Sequence, residues 1–488
     1  MKYILSVDQG STHSKAGLVD EKGELVQSVS VPLRTFRPRP FWVEHRPEEL
    51  IKSQNQAIQS LLQKSGKRGG RIIAMGLASQ RSTIIVWEKD TGKPLAPALS
   101  WQDLRGSVEV EKYSGFGRLI RNKTGLLLSP HYAVLKLRWI LKNVKGIREK
   151  LEKGKVLCGT VNSFLIWHWT RGDVHATDPT HAARMLLMDL KTQDWDSQLL
   201  GLFKIPKSIL PSIQTSVSDF GSIKIGRLKI SLKACIGDQQ SALVGLGAIS
   251  KKDAIINYGT GGFFLMNTGK NLVRLPGLLS SVGWSTPEEK VYALEGTVNS
   301  VGTVFDWLKK TGIISSPTEI NQMIRASRHR SYLVPALAGL GTPHWLKKVQ
   351  MGVLGLGPWT TKADLVRAAV EGIAFLVKDV NEVLRKDKNF NIQNIQASGG
   401  ISHIDGLLQI QSDWLGIPVR RSNTSEGTLL GAGLLAGVGC GIWKSVYKIP
   451  KPKKGKLFLP NLSKKERDKI YQGWKKALRS VREFGLWE

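Results

Sequence analysis

The stretch "SVDQGSTHSKAGLVD", residues 6–20, has the pattern of a strand, a tight turn of small residues and a second strand. The stretch "INYGTGGFFLMNTG", residues 256–269, repeats this pattern with Gly-Thr-Gly in the turn. The repeat predicts a duplicated fold in which each half begins with a small-residue hairpin. Because glycine has no Cβ, such turns bring backbone N–H groups close to an anion. We therefore expect the two hairpins to hold a polyphosphate between them.

The first hairpin differs from the second by an acidic residue, Asp8, at the end of its leading strand. We expect Asp8 to lie where Mg²⁺ or its waters bridge the phosphates. The sequence contains no GxxxxGK[ST] motif, which excludes the P-loop class of nucleotide-binding proteins on pattern. For either turn taken alone, an ordinary β-turn stays the alternative.

The length of 488 residues favours two domains of above-average size. We predict an N-terminal domain over residues 1–247 and a C-terminal domain over residues 248–488, with the crossing at residues 246–253. Between the strand-rich starts of the halves, helical spacing of apolar residues predicts amphipathic helices. A Gly/Ala-rich segment at residues 425–437 predicts a helix that packs closely against a neighbour.

The formal net charge is +32, which would attract anions such as nucleotides and phosphorylated metabolites. The basic residues are spread along predicted helices and one Pro-Lys loop at residues 448–456, as solvated faces are. No recognised RNA or DNA module is present, so nucleic acid is not expected as the main partner. The oligomeric state, including a homodimer or homotetramer, stays open.

The cysteines indicate the cellular compartment, and the lengths of the apolar runs indicate whether a membrane span is expected. Cys158, Cys235 and Cys440 are isolated, with no metal-ligand spacing, which indicates reduced residues of a cytoplasmic protein. The N-terminus has no signal-peptide pattern, and no stretch approaches 18 uncharged apolar residues, so no membrane span is expected.

A candidate catalytic carboxylate lies in "CIGDQQSALVGLG", residues 235–247. Asp238 follows a strand-like segment and precedes two glutamines. A carboxylate in this setting can accept a proton from a bound alcohol while the amides hold other hydroxyls. Taken alone, the tetrapeptide Gly-Asp-Gln-Gln is also compatible with a purely structural role.

Several blocks together resemble the FGGY carbohydrate kinases, and among them the glycerol kinases most. These blocks include the two hairpins, "FWVEHRPEEL", "SQRSTIIVWEKDTGKPLAPALSWQDLR", "IGDQQSALVGLG", "YALEGTV" and "LGTPHW". The match runs in family order from Tyr3 to about Trp474. The resemblance implies an α/β fold of two actin-like (RNase H-like) domains around an ATP cleft. It also implies phosphate transfer from Mg-ATP to a hydroxyl of a polyol or sugar.

The resemblance carries site roles onto individual positions. It implies Asp238 as the catalytic base. It implies substrate binding by Arg81, Ser82, His131, Asp238 and Gln239. It implies nucleotide binding by Ser11, Thr12, His13, Lys15, Thr260, Gly261, Gly302, Asp306, Gly399 and Gly400. Three of these depart from the family pattern: His13 replaces a small hydroxyl residue, Lys15 an arginine, and Asp306 a glutamine.

The acceptor pocket shows the departures that matter most for the substrate. Ser82 stands where glycerol kinases have a glutamate, and His131 where they have a tyrosine. These changes alter both the hydrogen-bond inventory and the volume of the pocket. Glycerol is the first expected acceptor, and a longer polyol, a pentulose or another ketose is the alternative. A non-catalytic actin-fold ATP-binding protein is a third possibility, against which Asp238 argues. Glu295 either faces the cleft or has a structural role.

Overall fold

The computed structural model describes residues 1–65, 70–226 and 228–485. The chain folds around two large sheets, one in each half, and each sheet is covered by helices. The boundary at 247/248 stays a prediction, and the predicted domains include residues outside the described ones, namely 66–69, 227 and 486–488. Among the described residues, no helix has both the length and the apolarity that crossing a bilayer requires.

The N-terminal half begins with a three-stranded antiparallel meander, whose first two strands are the predicted hairpin. Its elements are β1 (Lys2–Gln9), β2 (His13–Asp20), β3 (Leu25–Pro32), β4 (Glu44–His45), α1 (Pro47–Ser65), β5 (Arg71–Ser79), β6 (Ile84–Glu88), β7 (Ala98–Leu99), α2 (Gly117–Thr124), α3 (Ala133–Asn143), α4 (Ile147–Glu152), β8 (Val156–Thr160), α5 (Val161–Trp169), β9 (Ala176–Thr177), α6 (Pro179–Ala182), β10 (Met188–Asp189), β11 (Asp194–Trp195), α7 (Ser197–Phe203), β12 (Ser212–Ile213), β13 (Ser222–Ile225), β14 (Leu228–Gly237) and α8 (Asp238–Gly245).

The large N-terminal sheet has the strand order β13-β14-β5-β1-β2-β3. Its central strands β14, β5 and β1 are parallel, and in register Gly237 lies opposite Ser79 and Asp8 opposite Ala78. The three strands therefore end at one edge of the sheet. Residues that follow such ends face a common space, as ligand-binding residues of open α/β sheets do.

The C-terminal half restarts with an antiparallel hairpin, as the sequence repeat predicts. Its elements are β15 (Asp253–Tyr258), β16 (Gly262–Gly269), β17 (Leu279–Ser285), β18 (Lys290–Val298), α9 (Gly302–Lys310), α10 (Ile320–Ala326), β19 (Tyr332–Val334), β20 (Gly352–Leu354), α11 (Lys362–Leu384), β21 (Asn394–Ser398), α12 (Asp405–Leu415), β22 (Val419–Arg421), α13 (Gly427–Gly439), β23 (Leu457–Phe458) and α14 (Lys464–Phe484).

The large C-terminal sheet has the order β17-β18-β16-β15-β21-β22-β23, with β15 and β21 parallel. Helices α11, α12 and α14 bury apolar side chains such as Phe375 and Trp414 against it. Capping boxes of Thr361 with Asp364 and of Ser463 with Glu466 begin α11 and α14. Each box satisfies backbone donors that the first helical turn would otherwise leave open.

The layer between the two sheets is formed by α8 and α13. Helix α13 packs on β1, β5 and β14 and against α8, which in turn contacts β15, β16 and β17. The packing is close because glycine faces backbone: a Cβ on Gly431 would lie 1.9 Å from the Ser241 carbonyl oxygen. The prediction of a tightly packed helix at residues 425–437 is confirmed. This layer fixes the position of Asp238, the first residue of α8.

Candidate active site

The ends of β5 and β14 bring Arg81 and Asp238 into direct contact. The Asp238 carboxylate accepts a hydrogen bond at Oδ1 from Arg81 Nε, at 3.0 Å, and from its own helix at Gln239 N, at 2.8 Å. Its side chain is 29% exposed, against 11% for Arg81. Asp238 is thus held at one oxygen and still reaches the surface of the site, the arrangement expected of a general base.

Arg81 is in turn held by a buried network that includes Glu295 of the C-terminal half. Its Nη1 donates to Gln240 Oε1 at 3.1 Å and to Glu295 Oε1 at 3.3 Å. Glu295 also accepts from Arg184 Nη2 and from Gln240 Nε2. Burial alone would raise the pKa of Glu295, but the guanidinium groups of Arg184 and Arg81 outweigh it and lower that pKa to about 2. Of the two alternatives for Glu295, the network supports the structural one.

Two polar atoms beside this pair are buried and lack a partner within the described part of the chain: Ser82 Oγ and Gln239 Oε1. Ser82 also has a φ of 65°, in the left-handed region that non-glycine residues rarely adopt. Buried polar atoms without partners carry a free-energy cost that a bound hydroxyl would remove. The strain and the open hydrogen bonds both lie next to Arg81 and Asp238 in the chain.

An aromatic wall adjoins the arginines. The His131 ring packs edge-on against Trp101, with ring centroids 5.5 Å apart, and against Tyr132. Burial, together with the charges of Lys136, Arg184 and Arg81, lowers the pKa of His131 well below its ordinary value. His131 is therefore neutral at physiological pH, and one ring nitrogen can accept a hydrogen bond.

Lys136, a buried residue of α3, connects the segment that carries Trp101 with the segment that carries His131. Its Nζ donates to the carbonyl oxygens of Ser100 and His131, each at 2.9 Å. Burial lowers the pKa of Lys136 to about 7, although Asp103 acts in the opposite direction. One of these carbonyls belongs to Ser100, which precedes Trp101, and the other belongs to His131. The single amino group of Lys136 therefore fixes the distance between the two parts of the aromatic wall.

Asp8 lies at the end of β1, as expected. Its Oδ1 is buried and has no hydrogen-bond partner among the described residues. Burial raises the pKa of Asp8 to about 7, the negative charges of Asp238 and Glu426 add to the rise, and Lys15 opposes it. A carboxylate oxygen that has no partner and is exposed to the negative charge of a second carboxylate is a suitable ligand position for a hard cation.

The first hairpin turn is open to solvent at its tip. Ser11 is partly exposed, Thr12 and His13 are exposed, and His13 Nδ1 lies 3.1 Å from Thr12 Oγ1. Lys15, on β2, forms an ion pair of 2.7 Å with Glu426, which immediately precedes α13. The predicted phosphate residues of this turn are therefore accessible, and Lys15, which follows them in the chain, is held by the C-terminal half.

The second hairpin turn carries Thr260 and Gly261 between β15 and β16 and is joined to α9. Gly302 N donates to the Gly259 carbonyl oxygen at 3.0 Å, and a Cβ on Gly302 would lie 2.9 Å from that oxygen. The start of α9 thus approaches the turn as closely as only glycine allows. Thr303 Oγ1, next to this contact, is a further buried atom without a partner in the described ranges.

Gly399 and Gly400 follow β21, which is parallel to β15, so they lie at the same sheet edge as the second turn. Gly399 has a φ of +88°, and a Cβ there would lie 2.3 Å from the Tyr258 carbonyl oxygen. Gly400 has open space around it. Asp306 is exposed on α9.

The predicted residues thus form two groups on two sheets. Asp8, Arg81, Asp238 and their neighbours belong to the first, and the turn at Thr260, Gly302 and Gly399 to the second. Contacts between the halves include Arg81–Glu295 and a hydrogen bond of 3.0 Å from Gln240 Nε2 to Ser281 Oγ.

Arg184, Gln240 and Lys136 were not singled out from the sequence. Arg184 had a usable signal, because it interrupts the apolar run "AARMLLM" at residues 182–188. Lys136 had the same signal, since it lies among the apolar residues of α3. A charged residue in an apolar run is seldom buried without a partner or a function.

Similar proteins cover nearly the whole chain. A glycerol kinase of Thermus brockianus is 40% identical over 486 residues, 98% of each chain. A glycerol kinase of Nitratidesulfovibrio vulgaris is 38% identical over 487 residues, again 98% of each. The crystal structure of Plasmodium falciparum glycerol kinase with ADP superposes with a TM-score of 0.94 at 30% identity, covering 99% of this chain and 98% of that one.

The molecule shares its fold with such kinases along nearly its whole length, and the Asp238 carboxylate is held by Arg81 where the two halves meet. It is an ATP-dependent kinase of carbohydrates or polyols. The family models agree with that class. The N-terminal domain of the FGGY family of carbohydrate kinases matches residues 3–245, and the C-terminal domain matches residues 254–440. The chain belongs to the FGGY family of carbohydrate kinases.

Proposed function

We propose that this kinase transfers the γ-phosphate of ATP to a hydroxyl of a small polyol, with glycerol as the first acceptor. The carrying observation is the Asp238 carboxylate, held at one oxygen by Arg81 and partly exposed. The names of the relatives at 38–40% identity support the choice of glycerol. The unpartnered Ser82 Oγ and Gln239 Oε1 support an acceptor with more than one hydroxyl.

In the proposed reaction, Asp238 takes the proton of the acceptor hydroxyl as its oxygen attacks the γ-phosphorus. The new bond joins that oxygen to phosphorus, the bond from phosphorus to the bridging oxygen of ADP breaks, and ADP leaves. Arg81 keeps Asp238 in place, and Gln239 holds a second hydroxyl. Glu295 keeps Arg81 charged and oriented, because its own pKa of about 2 leaves it ionised throughout the working range.

We propose that Asp8 holds Mg²⁺, directly or through water. The buried Oδ1 without a partner, together with the nearby negative charge of Asp238, fits a divalent cation. When bound, Mg²⁺ would neutralise charge on the phosphate oxygens. Backbone N–H groups of the two turns, with Ser11, Thr12, Thr260 and Lys15, would bind the same oxygens.

The remaining nucleotide residues are proposed from their place on the C-terminal sheet edge. Gly261 and Gly302 allow the turn and the start of α9 to approach each other, and the phosphates would bind at this turn, near the N-terminal end of α9. Gly399 and Gly400 would border the adenosine, and Asp306 and His13 would lie at the solvent side. We also propose a reducing compartment, the cytoplasm, because Cys158, Cys235 and Cys440 are all free thiols.

A longer polyol or a ketose is a second candidate acceptor, and one observation favours it. Ser82 is a small residue with an unpartnered hydroxyl where the resemblance places a glutamate. A shorter side chain leaves room and a hydrogen bond for one more carbon with its hydroxyl. His131, neutral in this site, would replace a phenol in the wall.

ADP release from Mg-ATP with a panel of glycerol, longer polyols, pentuloses and hexuloses tests the proposal. We expect turnover on at least one acceptor and a fall of about 10²–10⁴-fold in kcat for Asp238→Asn, with ATP binding unchanged by calorimetry. Asp219→Asn is the matched control, since Asp219 pairs with Lys233 on β14 away from the site. Turnover on no acceptor, or near-normal turnover of Asp238→Asn, would overturn the assignment.

A further inference from the structure

A buried segment at residues 178–184, "DPTHAAR", connects the strand ends that carry Arg81 and Asp238. We call it the hub segment. It contains the short helix α6 and leads into Arg184. Within the described structure, its contacts reach β5, β14 and the Ser281–Glu295 region of the C-terminal sheet.

Most hydrogen bonds of the hub segment involve its first residue, Asp178, which is the fully buried N-cap of α6. Its carboxylate accepts hydrogen bonds from Thr180 Oγ1 at 2.7 Å and from Ser216 Oγ at 2.8 Å. It also lies 2.6 Å from His181 Nδ1 and accepts from the backbone N–H groups of Thr180 and His181. A buried carboxylate with this many partners holds each of them in one orientation.

Two of those partners extend to the site. Thr180 Oγ1 accepts a hydrogen bond of 2.7 Å from the N–H of Gly237, the residue directly before Asp238. His181 Nε2 shares a hydrogen bond of 2.8 Å with Ser79 Oγ, and Ser79 is the last residue of β5, two before Arg81. In register, Gly237 and Ser79 lie opposite each other. The hub segment is therefore hydrogen-bonded to both Gly237 and Ser79, the paired last residues of β14 and β5.

Ser79, His181 and Asp178 are connected in the order of a hydrolase triad, but the side chains are fully buried. No substrate can reach Ser79 there, so the array is suited to fixing positions. Phosphoryl transfer is sensitive to such positions, since displacing a reacting group by 1 Å can cost about 100-fold in rate.

We propose that the hub segment positions the two key side chains for phosphoryl transfer. Thr180 acts on Asp238 through the Gly237 amide, and His181 acts on Arg81 through Ser79. Thr180 and His181 are positioning residues, because neither touches the acceptor or the nucleotide. This inference rests on the proposed function of Asp238.

Thr180→Val tests it, because valine keeps the shape and removes the oxygen. We expect kcat on the accepted polyol to fall about 10–100-fold, with the Kd for ATP unchanged. Thr180→Ser, which restores the oxygen, should recover most of the turnover. Thr170→Val is the matched control: Thr170 is also buried, but its hydroxyl donates to the carbonyl oxygen of Ile166 in α5. We expect Thr170→Val to lower thermal stability similarly without the fall in kcat.

Equal kcat values for Thr180→Val and Thr170→Val would overturn the inference, as would a loss of ATP affinity parallel to the loss of kcat. If Thr180→Val does not fold, Ser79→Ala takes its place, with an expected fall of about 10-fold in kcat and unchanged ATP binding. Full activity of Ser79→Ala would then count against the proposal. Wild-type turnover tests the proposed function separately, since the inference concerns only the ratio of variant to wild type.

Discussion

Arg81 contacts two carboxylates, and their surroundings give them different chemistry. Glu295 receives two guanidinium groups and is 5% exposed, so its low pKa keeps it a permanent counter-charge. Asp238 receives one guanidinium and is 29% exposed, so it can meet an acceptor hydroxyl. Two acids in one network take separate roles when their environments differ in this way.

Lys136 gives a pH-dependent prediction at the residue scale. Its pKa is about 7 in the folded protein against 10.5 for an ordinary lysine, so between these values the unfolded chain binds more protons. Wild-type stability should therefore rise with pH over this range, by up to about 1.4 kcal/mol per pH unit. Lys136→Met lacks this dependence. The wild-type minus Lys136→Met difference in unfolding free energy should grow from about pH 7 to about pH 9.

Urea unfolding of both proteins across this range measures that difference. Lys123→Met is the control, because the hydrogen bond to Asp196 raises the pKa of Lys123. Its proton is retained in the folded and the unfolded state at these pH values, so its difference should stay flat. A flat difference for Lys136→Met as well would contradict the account of the buried ammonium group.

At the scale of elements, the contact between α8 and α13 depends on helix surfaces without side chains. Gly245 faces the carbonyl oxygen of Gly427, and Gly431 faces that of Ser241, each within 2.0 Å of where a Cβ would be. This close approach fixes the position of α8 relative to α13, and therefore the position of Asp238 in the first turn of α8.

Gly431→Ala should lower the unfolding free energy by about 1–3 kcal/mol, because the added methyl group forces the helices apart. Gly201→Ala in α7 is the matched control, since open space surrounds Gly201. There alanine should raise the unfolding free energy by up to about 1 kcal/mol. Urea unfolding measures both, and equal effects of the two substitutions would refute the close-packing explanation.

Local patterns made many of these elements predictable. The hairpin turns depend on glycine and hydroxyl residues, and the capping boxes at Thr361 and Ser463 on neighbours three positions apart. The partner of α13 could not be predicted, because Ser241 and Thr428 are 187 residues apart. The same reason hid the Arg184–Glu295 contact, although Asp238 was predicted as a site residue from its own motif and Arg81 from the family resemblance.

At the scale of the whole molecule, two sheets share one helical layer, and the predicted residues lie at the ends of their strands. The net charge of +32 favours the approach of anionic ATP from any direction. Closure of the halves over nucleotide and acceptor would exclude water and so favour transfer over hydrolysis. Such closure would act on the site through two buried contacts between the halves, that of Arg81 with Glu295 and that of Gln240 with Ser281.

The central claim is that the two halves hold ATP and a polyol so that Asp238 meets the reacting hydroxyl. A crystal structure with a non-hydrolysable ATP analogue and the preferred acceptor measures this directly. We expect the acceptor oxygen about 3–3.5 Å from the γ-phosphorus and within about 2.6–3.2 Å of an Asp238 oxygen. A nucleotide bound away from the Thr260 turn, or an Asp238 carboxylate out of reach of the acceptor, would contradict the claim.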